Sequence, residues 1–298
     1  MADQAVTVFA PAKLNLYLHV TGRRADGYHL LDSLVAFASV GDTITATRAP
    51  ALALRIDGPH GAGLTADAGN LVWRAAVRLN AGRGATLHLD KQLPVASGIG
   101  GGSTDAAATL LALRDLWSLP VSDEALAELA IGLGADVPAC LRREPLWMSG
   151  IGERLAPAPA LPPAHLVLVN PGLPLATPAV FAAWREAGGA FSPPARADLR
   201  FDNVHVLASY LKTCGNDLEA VARFMAPPVD VALAALRAQP GCLLARMSGS
   251  GATCFGLFPT PLSAQRAAQQ VAKAQAGWWA VPATWFAPAG NASGSIPV

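Results

Sequence analysis

Hydrophobic and polar residues alternate strictly near the N-terminus, between residues 12 and 20. In an extended chain such alternation separates an apolar face from a polar one, because successive side chains point to opposite sides. The apolar face carries Leu14, Leu16, Leu18 and Val20, and the polar face carries Lys13, Asn15, Tyr17 and His19. The pattern predicts a half-buried strand with a chemically active polar face. A turn follows over residues 21–29, and an apolar run extends from Leu30 to Val40.

Helical spacing dominates the next part of the chain. Apolar residues recur every three or four positions over 70–79, after Ser103 and over 123–133, which predicts three helices. The helix after Ser103 has the clearest apolar side, formed by Ala107, Leu110, Leu111, Leu113 and Trp117. A strand is predicted over 85–89, and a glycine-rich loop over 91–102 leads into the second helix.

A proline-rich stretch over 156–163 interrupts this pattern and predicts a linker between two lobes. Beyond it, strands are predicted over 165–169, 243–247, 254–258 and 278–281, and helices over 178–185, 217–224, 229–238 and 263–274. Helices and strands alternate irregularly, which favours an α+β fold over a doubly wound parallel sheet. The sequence therefore predicts an N-terminal domain over residues 1–155 and a C-terminal domain over residues 164–298.

The composition is unusually apolar for a chain of this kind. Hydrophobic residues make up 52% and charged residues 14% of the 298 residues, whereas about 25% charged residues is typical. The longest stretches without a charge, 155–184 and 274–298, contain prolines that would interrupt a membrane-spanning helix. No basic segment precedes the first apolar run, so no signal peptide is expected. The composition predicts a cytoplasmic protein that does not associate with membranes.

Charge and metal-binding residues narrow the range of partners. The 22 basic and 21 acidic residues leave a net charge of only +1, which argues against a nucleic-acid-binding surface. The four cysteines form no C-x-x-C pair and the six histidines show no metal-ligand spacing. Neither a disulfide framework nor a metal held by side chains alone is therefore expected.

Residues 93–108, L-P-V-A-S-G-I-G-G-G-S-T-D-A-A-A, form the most informative segment. A glycine loop that leads into a helix exposes backbone N–H groups at the positive end of the helix dipole, which is a favourable place for a phosphate. The segment is neither a Walker loop nor a G-x-G-x-x-G motif, because serine stands where each requires another residue. The alternative is a flexible loop in which Ser103 or Thr104 is an ordinary helix N-cap.

Four other features are ambiguous when taken alone. Asp105 in the first helical turn would favour the helix dipole but would repel a phosphate, unless it points away or meets a metal. Asp136, in G-A-D-V-P-A, has the position of a helix N-cap. Lys13 could extend along a strand edge with its charge in water. The segment S-G-S-G-A-T, residues 248–253, could be a tight hairpin.

Together these segments resemble a known family. P-A-K-L-N-L, the glycine-rich segment and M-S-G-S-G-A-T-C-F resemble the three motifs of the GHMP kinases. R-x-D-G-Y-H (24–29), G-A-D-V-P (134–138), G-I-G-E (150–153) and N-D-L-E (216–219) are similar to the branch that acts on a methylerythritol linked to cytidine diphosphate. The motifs occur in collinear order from about residue 8 to residue 258. One departure is Ala139 and Cys140 after G-A-D-V-P, where an aromatic residue is usual in the family.

The resemblance implies a two-lobed fold with an N-terminal ATP-binding lobe and a C-terminal ferredoxin-like lobe. It implies an ATP- and Mg²⁺-dependent kinase that phosphorylates the 2-hydroxyl group of the methylerythritol in non-mevalonate isoprenoid synthesis. The expected partner is a small molecule, and the chain is expected to be a monomer or a homodimer.

The resemblance also implies roles for individual residues. Lys13 and Asp136 would be the catalytic pair. ATP would be bound by Pro94, Val95, Ala96, Ser97, Gly98, Ile99, Gly100, Gly101, Gly102, Ser103 and Thr104, with Asn70 and Lys91 nearby. The substrate would be bound by Asn15, Tyr28, His29, Thr177, Phe181, Gly249, Ser250 and Gly251. Tyr28 and Phe181 would stack on opposite faces of the cytosine, His29 would meet its polar edge, and Mg²⁺ would be held largely by phosphates, in contact with Ser103.

Three alternatives remain open at this stage. A GHMP kinase for homoserine or mevalonate would not need aromatic side chains that clamp a base, so D-G-Y-H and T-P-A-V-F argue against it. A catalytically inactive nucleotide-binding regulator would not need both Lys13 and Asp136. A hydrolase is disfavoured because the chain lacks a G-x-S-x-G motif.

Overall fold

A computed structural model describes residues 5–79, 82–195 and 200–287 of the chain. The N-terminal half builds a seven-stranded sheet around one long central strand. Its strands are β1 (Val6–Asn15), β2 (His19–Arg23), β3 (His29–Arg48), β4 (Ala53–Asp57), β5 (Ala85–Asp90), β6 (Leu146–Gly150) and β7 (Arg154–Pro157). The 20-residue strand β3 pairs antiparallel with β1, β2, β5 and β6. One strand thereby holds most of this sheet together.

Four helices accompany this sheet: α1 (Leu71–Leu79), α2 (Gly101–Trp117), α3 (Asp123–Ile131) and α4 (Val137–Arg142). The expectation that α2 begins at Ser103 and is apolar on one side is wrong. The helix begins at Gly101, and all residues from Thr104 to Leu113 are buried. It packs against β1, β3, α1 and α4, so small alanines and threonines occupy the sides where a surface helix would carry charges.

The C-terminal half forms a four-stranded antiparallel sheet with helices. Its elements are β8 (His165–Asn170), α5 (Thr177–Glu186), α6 (Val204–Thr213), α7 (Glu219–Met225), α8 (Pro228–Arg237), β9 (Leu244–Met247), β10 (Cys254–Phe258), α9 (Pro261–Ala274) and β11 (Trp279–Thr284). The strand order is β11-β8-β10-β9. Strands and helices therefore follow the ferredoxin-like β-α-β-β-α-β scheme, and the predicted α+β, two-lobed class is confirmed.

The predicted strand over residues 12–20 is wrong in two respects. Strand β1 ends at Asn15 and a new strand begins at His19, so the alternating segment spans a break. Its polar face is also buried, with exposures of 3% for Lys13, 1% for Asn15 and 0% for Tyr17. Alternation indicates two different faces, but it does not distinguish a face in water from a face against another lobe.

The two sheets share part of their hydrophobic core. One buried cluster contains Leu14 and Leu34 from the first sheet together with Leu168 and Phe255 from the second. Between the sheets, residue 157 ends β7 and residue 165 begins β8, so the predicted linker over 156–163 begins within a strand. The domain boundaries remain a prediction, and residues 288–298 of the predicted C-terminal domain lie outside the described residues. None of the helices in the described ranges combines the length and apolar character needed to cross a bilayer.

Candidate active site

A cleft of about 930 Å³ lies where the two halves of the chain meet. Its walls come from β1, the glycine loop before α2, the start of α4, the start of α5 and the loop between β9 and β10. Nearly all predicted site residues line it. The exceptions are Ile99, Thr104 and Gly251, which lie behind the cleft wall and are buried. The folded chain thus brings together residues from position 13 to position 250.

Lys13 and Asp136 form an ion pair in this cleft. The Lys13 Nζ atom lies 2.8 Å from Asp136 Oδ2, and the side chains are 3% and 37% exposed. Asp136 occupies the N-cap position of α4 but makes no capping hydrogen bond. The interpretation of Asp136 as a structural cap is therefore wrong. Its carboxylate remains accessible from the cleft, while Lys13 reaches it from the buried polar face of β1.

The glycine loop enters α2 through backbone geometry that favours glycine. Gly100 is the N-cap residue of α2 with φ 65°, and as a glycine it has no side chain that could cap the helix. The alternative in which Ser103 or Thr104 caps the helix is wrong, because both lie inside the helix. The Lys13 N–H donates to the Ile99 carbonyl (2.9 Å), which ties the loop to β1. The first turn of α2 and the side chain of Ser103 consequently face the cleft.

A buried charge cluster lies beneath this loop. The Lys91 ammonium group donates to Asp42 Oδ2 and to Asp105 Oδ2, each at 2.6 Å, and all three side chains are at most 3% exposed. The Asp42 Oδ1 atom also accepts from the N–H groups of Gln92 and Leu93. Asp105 therefore meets an internal lysine, which answers the question that the sequence left open. Its second oxygen, Oδ1, is buried and has no hydrogen-bond partner among the described residues.

With both carboxyl groups ionised and one ammonium group, this cluster would carry an excess negative charge, which favours a proton on one carboxyl group. Burial raises the pKa of Asp105, Lys91 offsets that rise in part, and Asp42 adds to it. Burial would lower the pKa of Lys91, but Asp105 and Asp42 outweigh it and the pKa is raised. Lys91 is therefore held as a cation under the first turn of α2.

The segment 248–253 joins the antiparallel strands β9 and β10 and packs against the glycine loop. A side chain on Gly98 would place its Cβ 2.6 Å from the Ser248 carbonyl and from two backbone atoms of Gly251. The Ser248 hydroxyl donates to the Gly98 carbonyl, and Thr253 N–H donates to the Ser97 carbonyl. The connection is thus more than a hairpin, because it packs beneath the glycine loop and is hydrogen-bonded to it.

Aromatic residues occupy the other end of the cleft. His29 stacks on Phe181 with ring centroids 4.8 Å apart, and Trp184 meets the same imidazole edge-on at 5.6 Å. Burial lowers the pKa of His29, and the charges of Arg23 and Arg185 lower it further. The His29 Nε2 atom is buried and finds no hydrogen-bond partner in the part of the chain that the structure describes. Tyr28 is 60% exposed at the mouth of the cleft, and its stacking opposite Phe181 remains a prediction.

The remaining predicted residues are held by local hydrogen bonds. The Asn15 amide donates to Ser33 Oγ (2.8 Å), and the hydroxyls of Thr177 and Ser250 are 2.8 Å apart. Asn70 accepts from the Val72 N–H at the start of α1 and donates to the Thr65 carbonyl. Each of these side chains reaches the cleft from a fixed position.

Sequence reasoning missed Asp42 and Arg185. Asp42 is an isolated charge after the apolar run 30–40, and that isolation is the signal that could have identified it. Arg185 lies one helical turn after Phe181 and lines the same end of the cleft. Its four-residue spacing from a predicted site residue on a predicted helix was available from the sequence.

The site combines features of phosphoryl transfer to a small molecule. An accessible carboxylate beside a buried ammonium group can accept a proton from an alcohol. A glycine loop at a helix start favours phosphates, and a stacked imidazole with a free nitrogen favours a planar heterocycle. Within the described ranges, there is no group of three or more His, Cys, Asp or Glu side chains placed to hold a metal ion.

Comparison with known proteins gives concordant results. The model of the GHMP kinases N terminal domain matches residues 70–144, and that of the GHMP kinases C terminal region matches residues 203–277. A 4-diphosphocytidyl-2-C-methyl-D-erythritol kinase from Cereibacter sphaeroides is 54% identical over 277 residues, which are 92% of this chain and 97% of the relative. The kinase of that name from Paracoccus denitrificans is 53% identical, covering 94% and 96% of the two chains.

Solved structures show the same architecture. A crystal structure of a 4-(cytidine 5'-diphospho)-2C-methyl-D-erythritol kinase matches with a TM-score of 0.76 and 35% identity, covering 94% of this chain and all of the other. A homoserine kinase from Cytophaga hutchinsonii matches with a TM-score of 0.68 but only 18% identity, covering 96% of each chain. The second likeness concerns the fold alone.

Proposed function

The chain belongs to the GHMP kinase family, and we propose that it transfers the γ-phosphoryl group of ATP to the 2-hydroxyl group of 4-diphosphocytidyl-2-C-methyl-D-erythritol. The observation that carries the proposal is the Lys13–Asp136 pair, 2.8 Å apart, in a cleft with a glycine loop at one end and stacked aromatic rings at the other. The relatives at 53–54% identity bear the name of this kinase. The reaction belongs to the non-mevalonate synthesis of isoprenoid precursors.

Asp136 acts as the general base in the proposed reaction. Its carboxylate accepts the proton of the 2-hydroxyl group as that oxygen bonds to the γ-phosphorus and the bond to the bridging oxygen of ADP breaks. Phosphoryl transfer depends chiefly on positioning and on stabilisation of charge, so a carboxylate placed beside the hydroxyl group is sufficient. Lys13 holds the carboxylate in place and stabilises negative charge on the transferred group.

The nucleotide occupies the end of the cleft formed by residues 94–104. Backbone N–H groups of the glycine loop and the first turn of α2 donate to its phosphates. Lys91, paired with Asp42 and Asp105, supports this region from below, while Asn70 lies on the nucleotide side. Hard cations prefer oxygen ligands, and the Ser103 hydroxyl faces this end of the cleft. Mg²⁺ bound there by the phosphates and Ser103 would neutralise charge on ATP.

The substrate occupies the other end. Tyr28 and Phe181 supply stacking surfaces for the cytosine, and His29 offers its unpartnered Nε2 atom to the polar edge of the base. Asn15, Thr177 and the loop 249–251 lie between the base and the catalytic pair. This aromatic end is the feature that favours a cytidine-linked alcohol over homoserine or mevalonate.

Coupled measurement of ADP release tests the proposal. With Mg²⁺-ATP, the protein is expected to release ADP when 4-diphosphocytidyl-2-C-methyl-D-erythritol is added and to show only background release with homoserine or mevalonate. Turnover with one of the other alcohols at equal or higher kcat/KM would favour that kinase instead. Absence of turnover with all three would favour the inactive regulator.

A further inference from the structure

The N-D-L-E segment, residues 216–219, has no part in the mechanism above, yet it makes an ordered set of buried contacts. The Asn216 amide uses both of its N–H groups, donating to the Met247 carbonyl (2.9 Å) and to the Gly249 carbonyl (2.8 Å). Its Oδ1 atom accepts from the Leu218 N–H (3.0 Å). The side chain is nine-tenths buried. Asn216 is therefore hydrogen-bonded to the residues on either side of Ser248, Met247 and Gly249, where the loop 248–251 begins.

The loop 248–251 has two backbone N–H groups that are free to donate to a ligand. Within the described chain, the N–H groups of Gly249 and Ser250 make no hydrogen bond, although both residues are buried and line the cleft. Buried backbone N–H groups are nearly always paired. Two unpaired donors that face a ligand cleft are therefore suited to an anionic oxygen.

Peptide geometry links Asn216 to one of these donors. The Gly249–Ser250 peptide is trans, and in a trans peptide the C=O and N–H bonds point in opposite directions. Asn216 lies outside the cleft and lines a different groove, with Lys212 and Arg237. Since it draws the Gly249 carbonyl to that side, the Ser250 N–H is directed toward the cleft.

We propose that Asn216 is a positioning residue that orients the Ser250 N–H to donate to a phosphate oxygen in the cleft, an inference that rests on the proposed kinase function. The oxygen belongs either to the substrate's diphosphate or to the γ-phosphoryl group of ATP. The loop has little freedom to find this orientation unaided, because Gly249 already packs against the Gly98 carbonyl, where a Cβ would lie at 2.8 Å. A donor fixed before the reaction stabilises developing charge without reorganisation.

Asn216→Asp is the direct test. The new carboxylate has the same size and can accept from Leu218, but it cannot donate to the two carbonyls and repels them. We expect kcat/KM to fall about 10²-fold, the usual effect of losing one such donor. If the oxygen belongs to the diphosphate, calorimetry will show weaker binding of cytidine diphosphate. If it belongs to the γ-phosphoryl group, kcat will fall while that binding is unchanged.

Asp217→Ala is the matched control. Asp217 belongs to the same segment and is also hydrogen-bonded, but its carboxylate accepts from Val20 N–H and Ser192 Oγ, which lie outside the loop 248–251. We expect a lower melting temperature with kcat/KM within threefold of the wild type. Asn216→Gln, which keeps both donors on a longer side chain, should recover part of the activity lost in Asn216→Asp.

The inference is overturned if Asn216→Asp retains kcat/KM and cytidine diphosphate binding within threefold of the wild type. It is also overturned if the Asp217→Ala control loses as much activity as Asn216→Asp. If Asn216→Asp fails to fold, Asn216→Ser is tested by the same criteria. This variant removes the hydrogen bonds to the Met247 and Gly249 carbonyls without adding a charge. A wild-type protein without turnover would contradict the proposed function instead, and nucleotide binding by the variants would still test the inference.

Discussion

Asp136 is the residue on which the proposed chemistry depends most. It is the accessible partner of a buried lysine, and no hydrogen bond commits it to capping α4. Asp136→Asn keeps the shape of the side chain but removes its ability to accept a proton. We expect kcat to fall at least 10²–10⁴-fold, the range of general base catalysis, with the dissociation constant for ATP changed less than threefold in a calorimetric titration. A variant that retains more than a tenth of wild-type kcat would exclude Asp136 as the base.

Tyr28 allows substrate recognition to be separated from stability. Its ring is 60% exposed, so its removal should leave the melting temperature unchanged. Stacking of a base on an aromatic ring contributes about 1–3 kcal/mol, so Tyr28→Ala should raise the KM for the cytidine substrate by one to two orders of magnitude. Tyr28→Phe, which keeps the stacking face, serves as the control. Equal KM values for all three proteins would contradict the clamp.

At the scale of elements, the contact between the glycine loop before α2 and the loop 248–253 leaves the least space for a side chain. Gly98 has φ 74° and no room for a Cβ, whereas Gly188 has the same φ and no atom of the described residues within 4 Å of a Cβ. Gly98→Ala and Gly188→Ala should therefore share the strain of a left-handed alanine, about 1–2 kcal/mol. Only Gly98→Ala should also displace the loops, with a loss of kcat/KM of about 10²-fold. Equal activity of the two variants in steady-state assays would show that the loop contact does not position ATP.

The Asp42–Lys91–Asp105 cluster joins β3, the glycine loop and α2. Lys91→Met leaves the buried Asp42 and Asp105 carboxyl groups without their cation and should lower the free energy of unfolding by about 3–5 kcal/mol. Asp105→Asn keeps an acceptor for Lys91 and leaves the Asp42–Lys91 ion pair in place, so its effect on the free energy of unfolding in denaturant titrations should be much smaller. A loss from Asp105→Asn as large as that from Lys91→Met would contradict this assignment of charge.

The same cluster has a consequence for pH dependence. Because the pKa of Asp105 is raised on folding, the folded state binds more protons than the unfolded state above the ordinary carboxyl pKa. The free energy of unfolding therefore falls as the pH rises from the ordinary carboxyl pKa toward the raised pKa of Asp105. Between pH 7 and pH 5, the wild type should gain stability relative to Asp105→Asn as the pH is lowered. A difference that is constant or reversed over this range would rule out a raised pKa.

The elements show where sequence patterns are informative. Strand β5 and helices α1, α5 and α9 follow their predicted spans within a few residues, because each has one buried face and one exposed face. The segments 104–113 of α2 and 10–15 of β1 are buried on all sides, so periodicity misjudged the boundaries and faces of these two elements. Strands β4, β6 and β7 and helices α4 and α6 have four to ten residues and were not predicted. The three strands and α4 have at most six residues and provide too few repeats for a periodic signal. Helix α6 is as long as the predicted α5, so its length does not explain why it was missed.

For the whole molecule, the sequence predicted the class of fold and most of the cleft through the motifs of the family. The sequence did not predict which residues distant along the chain contact each other, where the family motifs imply no such contact. Asp42 meets Asp105 through Lys91 within the N-terminal half, and Asn216 holds Gly249 within the C-terminal half, because each half brings together segments that are distant in sequence. Pairing across such distances depends on topology, which local propensity does not specify.

The central claim is that this two-lobed molecule phosphorylates one particular hydroxyl group. Phosphorus NMR of the products formed from ATP and 4-diphosphocytidyl-2-C-methyl-D-erythritol tests it most directly. Carbon 2 carries the methyl group and no hydrogen, so a phosphate on its hydroxyl group gives a phosphomonoester signal without splitting by a carbinol proton. We predict this unsplit signal together with stoichiometric ADP and an intact diphosphate. A split phosphomonoester signal, or no new signal with active controls, would contradict the account.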